Sequence, residues 1–206
     1  MTANLQQADG TLETSGGRDV LRYERRLSHP VERVWRAITE PEEIVQWLGE
    51  AELEPVEGGT VVLRWLNTPE QTVARGTVTA FDPPRALELD TDIHGILRWE
   101  LEADGDACRL IFTASYPEKD EETRLSLLAG WHIHLDHLAD ALEGRAQDWP
   151  RWMDEQLPRW QEHHDRYAAR VARSRSQPPF AFAQEPLASR SATTMTSSEK
   201  VRRKTE

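Results

Sequence analysis

The sequence lacks several features that would assign a protein to a class. It has a single cysteine, Cys108, so one chain cannot form an internal disulfide. No segment approaches the roughly 20 consecutive apolar residues that span a bilayer. The first 17 residues have neither the basic start nor the apolar run of a secretory signal, and nucleophile-elbow, phosphate-loop and dinucleotide-binding motifs are missing. We therefore expect a protein of the reducing cytoplasm with no membrane insertion and no cofactor.

Charge is distributed unevenly along the 206 residues. The net charge is −11, but residues 168–206 contain eight Lys or Arg and three Glu, which leaves 17 positive and 33 negative side chains on the rest. Such an acidic body repels phosphate backbones, so we expect no nucleic-acid binding. With 38% hydrophobic residues, the chain can bury the core of one domain of roughly 150 residues.

Composition and periodicity divide the chain into four predicted segments. Residues 1–18 are polar and glycine-bearing, which predicts a flexible leader, and residues 19–146 form the domain. Residues 147–172 have Trp and Tyr at helical spacing and predict an additional amphipathic helix. Residues 173–206 predict a disordered basic tail. We favour packing of the additional helix against the domain, with a lid or a protein-partner surface formed by this helix and the tail as alternatives.

Strand periodicity appears both before and after a pair of short helices. Residues 21–27 alternate as a half-buried strand, and prolines at 30 and 41 predict helices over 30–39 and 41–47. Thr39 and Glu42 have the spacing of a capping box. Alternation then predicts strands over 60–66, 72–81 and 86–90, with a turn at 67–69. A hairpin follows, formed by 97–102 and 108–116.

A long helix is predicted from about 118 to 144. Its apolar stripe predicts that it crosses one face of the sheet, with a charged back toward solvent. His132 lies at the margin of the stripe, whereas His134 and His137 are expected to point toward solvent. The stripe consists of Leu128, Trp131, Leu135, Leu138 and Leu142.

The order of these elements predicts the fold class. One strand, two short helices, an antiparallel meander and a long C-terminal helix predict an α+β helix-grip fold, in which a curved antiparallel sheet wraps around the helix. Such an arrangement leaves a cavity between helix and sheet. We therefore expect a protein that holds an apolar molecule.

Five motifs in this order resemble a known family. They are Arg25 to Trp35 with Pro41 to Trp47, the Gly58-Gly59 pair, the strand and turn over 76–84, and Gly130-Trp131 with its downstream leucines. Together they resemble the SRPBCC (START/Bet v 1-like) superfamily, in the branch named after the C-terminal domain of the activator of the Hsp90 ATPase, over about residues 20–145. The resemblance implies a deep hydrophobic cavity and small-molecule binding. It does not imply chaperone activation, because fold alone does not carry function.

The candidate cavity residues come from the inward positions of the strands and the helix stripe. The resemblance favours Val78 facing inward and Arg75 outward on their strand. For the tryptophans, core packing is an equal alternative to a cavity wall. The predicted lining consists of Leu63, Trp65, Val78, Leu87, Leu89, Leu97, Trp99, Leu110, Phe112, Leu128, Trp131, His132, Leu135 and Leu138.

Few residues are candidates for chemistry. His132 is the candidate acid or base at the pocket rim, with a partly exposed histidine as the alternative. His134 and His137 have metal-ligand spacing, but His132 lies roughly 150° away around the helix, so we expect no metal site. His163, in a charged helix, is expected at the surface. Cys108 shares the parity of its strand's apolar residues and is expected to be a buried hydrophobe.

Three functions follow from these observations. The first is binding or sequestration of a small apolar or aromatic molecule between the sheet and the long helix. The second is an enzyme of the cyclase, aromatase or dehydratase kind that uses the same cavity, with His132 as acid or base. The third is an interaction module, such as a chaperone cofactor or regulatory partner, that uses residues 147–172 and the tail.

Overall fold

A computed structural model describes residues 9–67 and 70–176 of the chain. Within these ranges it contains an eight-stranded sheet, five α-helices and a 3-10 turn at Trp149–Arg151. The strands are β1 (Thr11–Ser15), β2 (Arg18–Leu27), β3 (Glu50–Leu53), β4 (Thr60–Arg64), β5 (Val73–Asp82), β6 (Ala86–Thr91), β7 (Gly95–Asp104) and β8 (Ala107–Pro117). The helices are α1 (Val31–Thr39), α2 (Pro41–Ile44), α3 (Glu121–Leu142), α4 (Trp152–Glu155) and α5 (Leu157–Ser176).

All strand pairs in the sheet are antiparallel. The strand order is β1-β2-β8-β7-β6-β5-β4-β3, so β2 joins the last strand of the meander, with Tyr23 opposite Phe112. The sheet is curved, and the long helix α3 follows it in the chain, which confirms the α+β helix-grip fold. On β5, Val78 is buried and Arg75 is exposed, as expected.

The start of the domain differs from the prediction. The segment predicted as a flexible leader, 1–18, contains strand β1, which pairs with β2 through a hairpin whose turn residues Gly16 and Gly17 have φ of 60° and 75°. Strand β1 was missed because its side chains are mostly exposed and show no apolar alternation. The backbone N–H of Gly10 donates a 2.8 Å hydrogen bond to the hydroxyl of Tyr167, which ties this end to α5.

The back of α3 is covered, which corrects the expectation of a charged, solvent-facing side. His134 and His137 are buried, together with Ile133 and Asp136. Helix α5 packs along α3, and the Trp152 indole N–H donates to His137 Nε2 at 3.1 Å. Residues after 146 therefore contribute to the hydrophobic core. They also supply partners for polar side chains on the back of α3, which would otherwise face solvent.

Helix boundaries differ from the prediction at three places. Thr39 does not cap α2, because its hydroxyl donates to the backbone oxygen of Trp35 within α1, at 2.8 Å, and no side chain caps α2. The helix predicted over 147–172 is divided into the 3-10 turn, α4 and α5, and α5 continues to Ser176. The remaining tail, 177–206, and residues 68–69 of the predicted turn lie outside the described residues. In the described part of the chain, no helix is long and apolar enough to cross a membrane.

Candidate functional site

A pocket of about 220 Å³ lies where the end of β4 meets the N-terminal half of α3. Two tryptophans form its aromatic wall: the rings of Trp65 and Trp131 meet edge to face, with centroids 5.7 Å apart. Trp65 directly follows β4 and continues its alternation toward the inside, and the apolar stripe of α3 turns Trp131 toward it. The remaining lining residues are Asn67, Thr72, His94, Ser126, Leu127, Gly130 and His134.

Two histidines complete this wall. The ring centroids of His94 and His134 lie 4.5 and 4.9 Å from that of Trp65. Burial lowers the pKa of each histidine to about 4, so both are neutral at pH 7. His134 Nδ1 lies 3.2 Å from the backbone oxygen of Trp47. Because a carbonyl only accepts, Nδ1 carries the hydrogen and Nε2 keeps a lone pair.

Two ring nitrogens at the pocket have unused hydrogen-bonding capacity. Trp65 Nε1 and His94 Nε2 are buried and have no hydrogen-bond partner among the described residues. By contrast, Trp131 Nε1 donates to the hydroxyl of Tyr116 at 2.5 Å. A buried donor without a partner costs roughly 1–3 kcal/mol. The pocket therefore combines an aromatic wall with two ring nitrogens whose hydrogen-bonding capacity is unused.

The predicted cavity residues lie in different places. Trp65 and Trp131 line the pocket, and Leu128 lines a separate groove of about 320 Å³ between α3 and α5. The others are buried with no place in the pocket wall, and their contact with a ligand stays a prediction. These are Leu63, Val78, Leu87, Leu89, Leu97, Trp99, Leu110, Phe112, His132, Leu135 and Leu138.

The deep cavity implied by the resemblance is nearly filled in the described structure. The interior space bounded by Trp47, Leu63 and Trp99 measures about 10 Å³, which is no more than one water needs. Tryptophan and leucine side chains from the sheet and from the residues that follow α2, Trp47 and Leu48, occupy the remaining volume. The room for a ligand is at the end of the helix-sheet interface beside Trp65.

His132 belongs to a different cluster, on the back of α3. Its Nδ1 lies 2.7 Å from the hydroxyl of Tyr167, and its Nε2 lies 3.7 Å from an oxygen of Asp136. Burial lowers the pKa of His132 to about 3, against the opposing charge of Asp136. His163 of α5 stacks on His132 with ring centroids 4.1 Å apart. His163 is therefore buried, which corrects its expected surface position.

Cys108 is buried in β8, as expected from its parity. Burial raises the pKa of its thiol to about 11, so the thiolate is scarce at neutral pH. This thiol therefore packs as a small hydrophobe.

Comparison with known families identifies the domain. A sequence profile described as Activator of Hsp90 ATPase homolog 1-like protein matches residues 28–143, which is more than half of the chain. The chain belongs to this family. The match covers both short helices, six strands of the sheet and all of α3. Strands β1 and β2, together with α4 and α5, lie outside the matched residues.

Several solved structures share the fold of this chain. The solution structure of CalU16 from Micromonospora echinospora is 23% identical, with a TM-score of 0.63 over 84% of this chain and 99% of that one. EF2215 from Enterococcus faecalis is 21% identical, with a TM-score of 0.61 over 80% and 91%. The protein encoded by BPP1335 from Bordetella parapertussis is 26% identical, with a TM-score of 0.57 over 80% and 92%. No curated protein matches the chain.

Sequence reasoning missed the histidines of this family member's pocket. His94 sits in the β6–β7 turn region, where no periodicity assigns a facing direction. His134 was placed on the solvent side, because the helical pattern alone does not show what covers the back of α3. For the separate cluster on the back of α3, the sequence holds one local signal. Asp136 follows His132 by four residues on the same helix, and this spacing places a carboxylate beside an imidazole.

Proposed function

We propose that this protein binds a small aromatic molecule in the pocket formed by Trp65, His94, Trp131 and His134. The observation that carries the proposal is the aromatic wall with two unpartnered ring nitrogens, at Trp65 and His94. Membership in a family with a ligand-binding fold supports binding in general. The aromatic class of the ligand is inferred from the residues of this chain.

The size of the pocket limits the ligand to about one substituted ring. A cavity of roughly 150 Å³ accommodates benzene in proteins, and this pocket measures about 220 Å³. Offset and edge-to-face contacts with tryptophan contribute about 0.5–1.5 kcal/mol beyond area burial. A planar ring placed in the pocket would contact the side chains of both Trp65 and Trp131.

The polar atoms favour a ligand that carries a carbonyl or another acceptor oxygen. The indole Nε1 of Trp65 can only donate, so an acceptor on the ligand removes the cost of leaving it unpaired. His134 Nε2 keeps a lone pair and offers a matching acceptor for a ligand hydroxyl. A charged ligand gains little here, since both histidines are neutral.

A matched pair of probes tests the proposal. Acetophenone and ethylbenzene have similar size, but only acetophenone carries an acceptor oxygen. We expect both to quench or shift tryptophan fluorescence in titrations, with acetophenone at least about tenfold tighter, equivalent to about 1.4 kcal/mol. Binding of neither probe, or equal binding of both, contradicts the recognition described here.

A pocket-filling variant and a matched control locate the site. Ser126 lines the pocket and Glu162 is exposed on α5, outside it. Ser126→Phe is expected to abolish acetophenone binding, whereas Glu162→Phe, which adds the same side chain elsewhere, leaves it unchanged. Native mass spectrometry of protein purified from its own host then identifies the natural occupant by mass.

The other two hypotheses receive no specific support from the geometry. His132, the candidate acid or base, faces Tyr167 and Asp136 and does not line the Trp65 pocket. The helices after residue 146 pack on α3, which occupies much of the surface that a partner would need. A protein partner at 147–172 and the tail stays a prediction.

A further inference from the structure

Three metal-binding side chains meet between α3 and α5, away from the aromatic pocket. His132 and Asp136 lie one turn apart on α3, and His163 reaches them from α5. One ligand atom from each lies within 4.8 Å of the other two. We propose that His132, Asp136 and His163 bind a divalent transition metal ion of the zinc type. No ion is present in the structure.

The distances fit a tetrahedral ion. Two ligands at about 2.1 Å from zinc and separated by a tetrahedral angle lie roughly 3.4 Å apart. His163 Nε2 lies 3.4 Å from one oxygen of Asp136, and His132 Nε2 lies 3.7 Å from the other. Two imidazoles with one carboxylate suit zinc, cobalt or ferrous iron better than the oxygen-preferring magnesium or calcium.

The partner of His132 holds its ring in a suitable state. Tyr167 lies 2.7 Å from Nδ1, and with Nδ1–H donating to that hydroxyl, the lone pair of Nε2 points to the ion. His163 Nε2 is buried and faces the Asp136 carboxylate. Hydrogen bonds to the outer nitrogen of a ligand histidine orient the ring, and their loss typically costs 10- to 100-fold in metal affinity.

Access to the cluster is provided by a surface pocket. Asp136 also lines an open pocket of about 400 Å³ beside the start of α1, together with Arg159 and Asp140. Three protein ligands leave at least one coordination position of the ion for water, and the water can enter from this pocket. The site thus resembles an open metal centre more than a closed structural one.

Three arginines oppose binding and set the expected affinity. Arg159 lies 3.5 Å from the same oxygen of Asp136 that faces His163, and Arg166 donates to His163 Nδ1 at 2.9 Å. Both arginine side chains are partly exposed, so each can move away from the cluster. His163 must then rotate and carry its hydrogen on Nδ1, so that the lone pair of Nε2 can bind the ion. Arg25 is buried and its positive charge acts on Asp136 permanently. We therefore expect modest affinity that rises when Arg159 is removed.

Titration of metal-free protein with cobalt tests the proposal. Untagged full-length protein is stripped with EDTA and titrated with Co²⁺, followed by visible d–d absorption, and with Zn²⁺ by calorimetry. We expect one equivalent to bind, with tetrahedral cobalt spectra. His163→Ala and Asp136→Asn are expected to lower affinity at least about tenfold. His164→Ala, one residue away on α5, is the matched control and is expected to bind as the original protein does.

Arg159→Gln keeps the test decisive if the ligand variants fold poorly. This variant removes the cation that competes for Asp136 while leaving all three ligands, so we expect Zn²⁺ to bind several-fold tighter. Circular dichroism establishes that each variant is folded. Absence of stoichiometric binding to the original protein, or equal affinity for folded His163→Ala and His164→Ala, overturns the proposal. An unchanged affinity in Arg159→Gln does so as well.

Discussion

Asp19 is a buried carboxylate that joins three parts of the fold. It accepts hydrogen bonds from the Thr14 hydroxyl at 2.6 Å, the Lys119 backbone N–H at 2.8 Å and the Arg124 guanidinium at 2.9 Å. Burial opposes ionisation, but these donors hold the pKa of Asp19 below its usual value. One side chain thus connects the β1–β2 hairpin to the segment that leads into α3.

Replacement of Asp19 by Asn is expected to lower the free energy of unfolding by about 2–3 kcal/mol, since an amide loses the charge that strengthens these hydrogen bonds. Urea unfolding followed by circular dichroism measures the change. The control is Asp106→Asn in the exposed β7–β8 turn, where we expect less than about 0.5 kcal/mol. Equal effects at the two positions contradict the role assigned to Asp19.

Gly130 lies in the interior of α3 and at the edge of the aromatic pocket. A methyl group there meets only Trp160 Nε1, at 4.0 Å, which is ordinary contact. Gly130→Ala is therefore expected to stabilise the helix by about 0.5–1 kcal/mol and to raise the Tm by roughly 1–4 °C. The same methyl group narrows the pocket, so acetophenone should bind more weakly. A lower Tm in differential scanning calorimetry contradicts this view of the site.

Helix α5 connects the two ends of the folded part through Tyr167. The hydroxyl of Tyr167 accepts from Gly10 and contacts His132, while the Arg170 guanidinium donates to the Gly10 oxygen at 2.6 Å. This arrangement explains why β1, an exposed edge strand, has a fixed start. It also explains why α3 can keep polar residues on the side away from the sheet.

Tyr167→Phe is expected to lower the free energy of unfolding by about 1–2 kcal/mol, because Gly10 N–H and His132 lose a buried partner. Hydrogen exchange should accelerate first at Gly10 and along β1, with little change in β7 and β8. Mass spectrometry of exchange-labelled peptides measures this. Uniform acceleration over the whole sheet instead indicates global destabilisation and contradicts the local role of Tyr167.

Strands and helices differ in how well local pattern predicts them. Alternation located β2 and the meander, because each strand has one buried and one exposed face. For α3, the same reasoning succeeded on the sheet side and was wrong for three polar residues: α5 and Trp152 cover Asp136 and His137, and His134 lies against Trp47 and Trp65. Periodicity reports which residues are apolar, and a polar face covered by another helix has no such signature. His134 was missed because the helical pattern does not show what covers it, and His94 was missed because a turn has no periodicity.

Four neutral histidines, three of them buried and His94 partly buried, make the stability of the metal-free protein depend on pH. The pKa is lowered by burial to about 4 in His94 and His134 and to about 3 in His132 and His137. In the unfolded chain these groups titrate near pH 6.5. Between these pKa values the unfolded state binds more protons than the folded state. The contribution of the neutral histidines to the free energy of unfolding is therefore fully present above pH 6.5 and is lost as the pH falls.

The free energy of unfolding should therefore decrease by roughly 1 kcal/mol per buried histidine between pH 7.5 and 5.5. Urea unfolding of EDTA-treated protein at the two pH values measures the difference. His94→Gln removes one titrating group outside α3 and should reduce the pH dependence by about one quarter of the total. A flat profile between pH 7.5 and 5.5 is incompatible with four neutral buried imidazoles.

The contact between Gly10 and Tyr167 joins residues 157 positions apart. At synthesis rates of about 5–20 residues per second, the two partners leave the ribosome roughly 8–30 s apart. During that interval β2 also waits for β8, the strand it pairs with, and its unpaired edge is open to association with other nascent chains. Strands β1 and β2 thus emerge well before the residues they contact, so the newborn chain needs protection mainly at this hairpin.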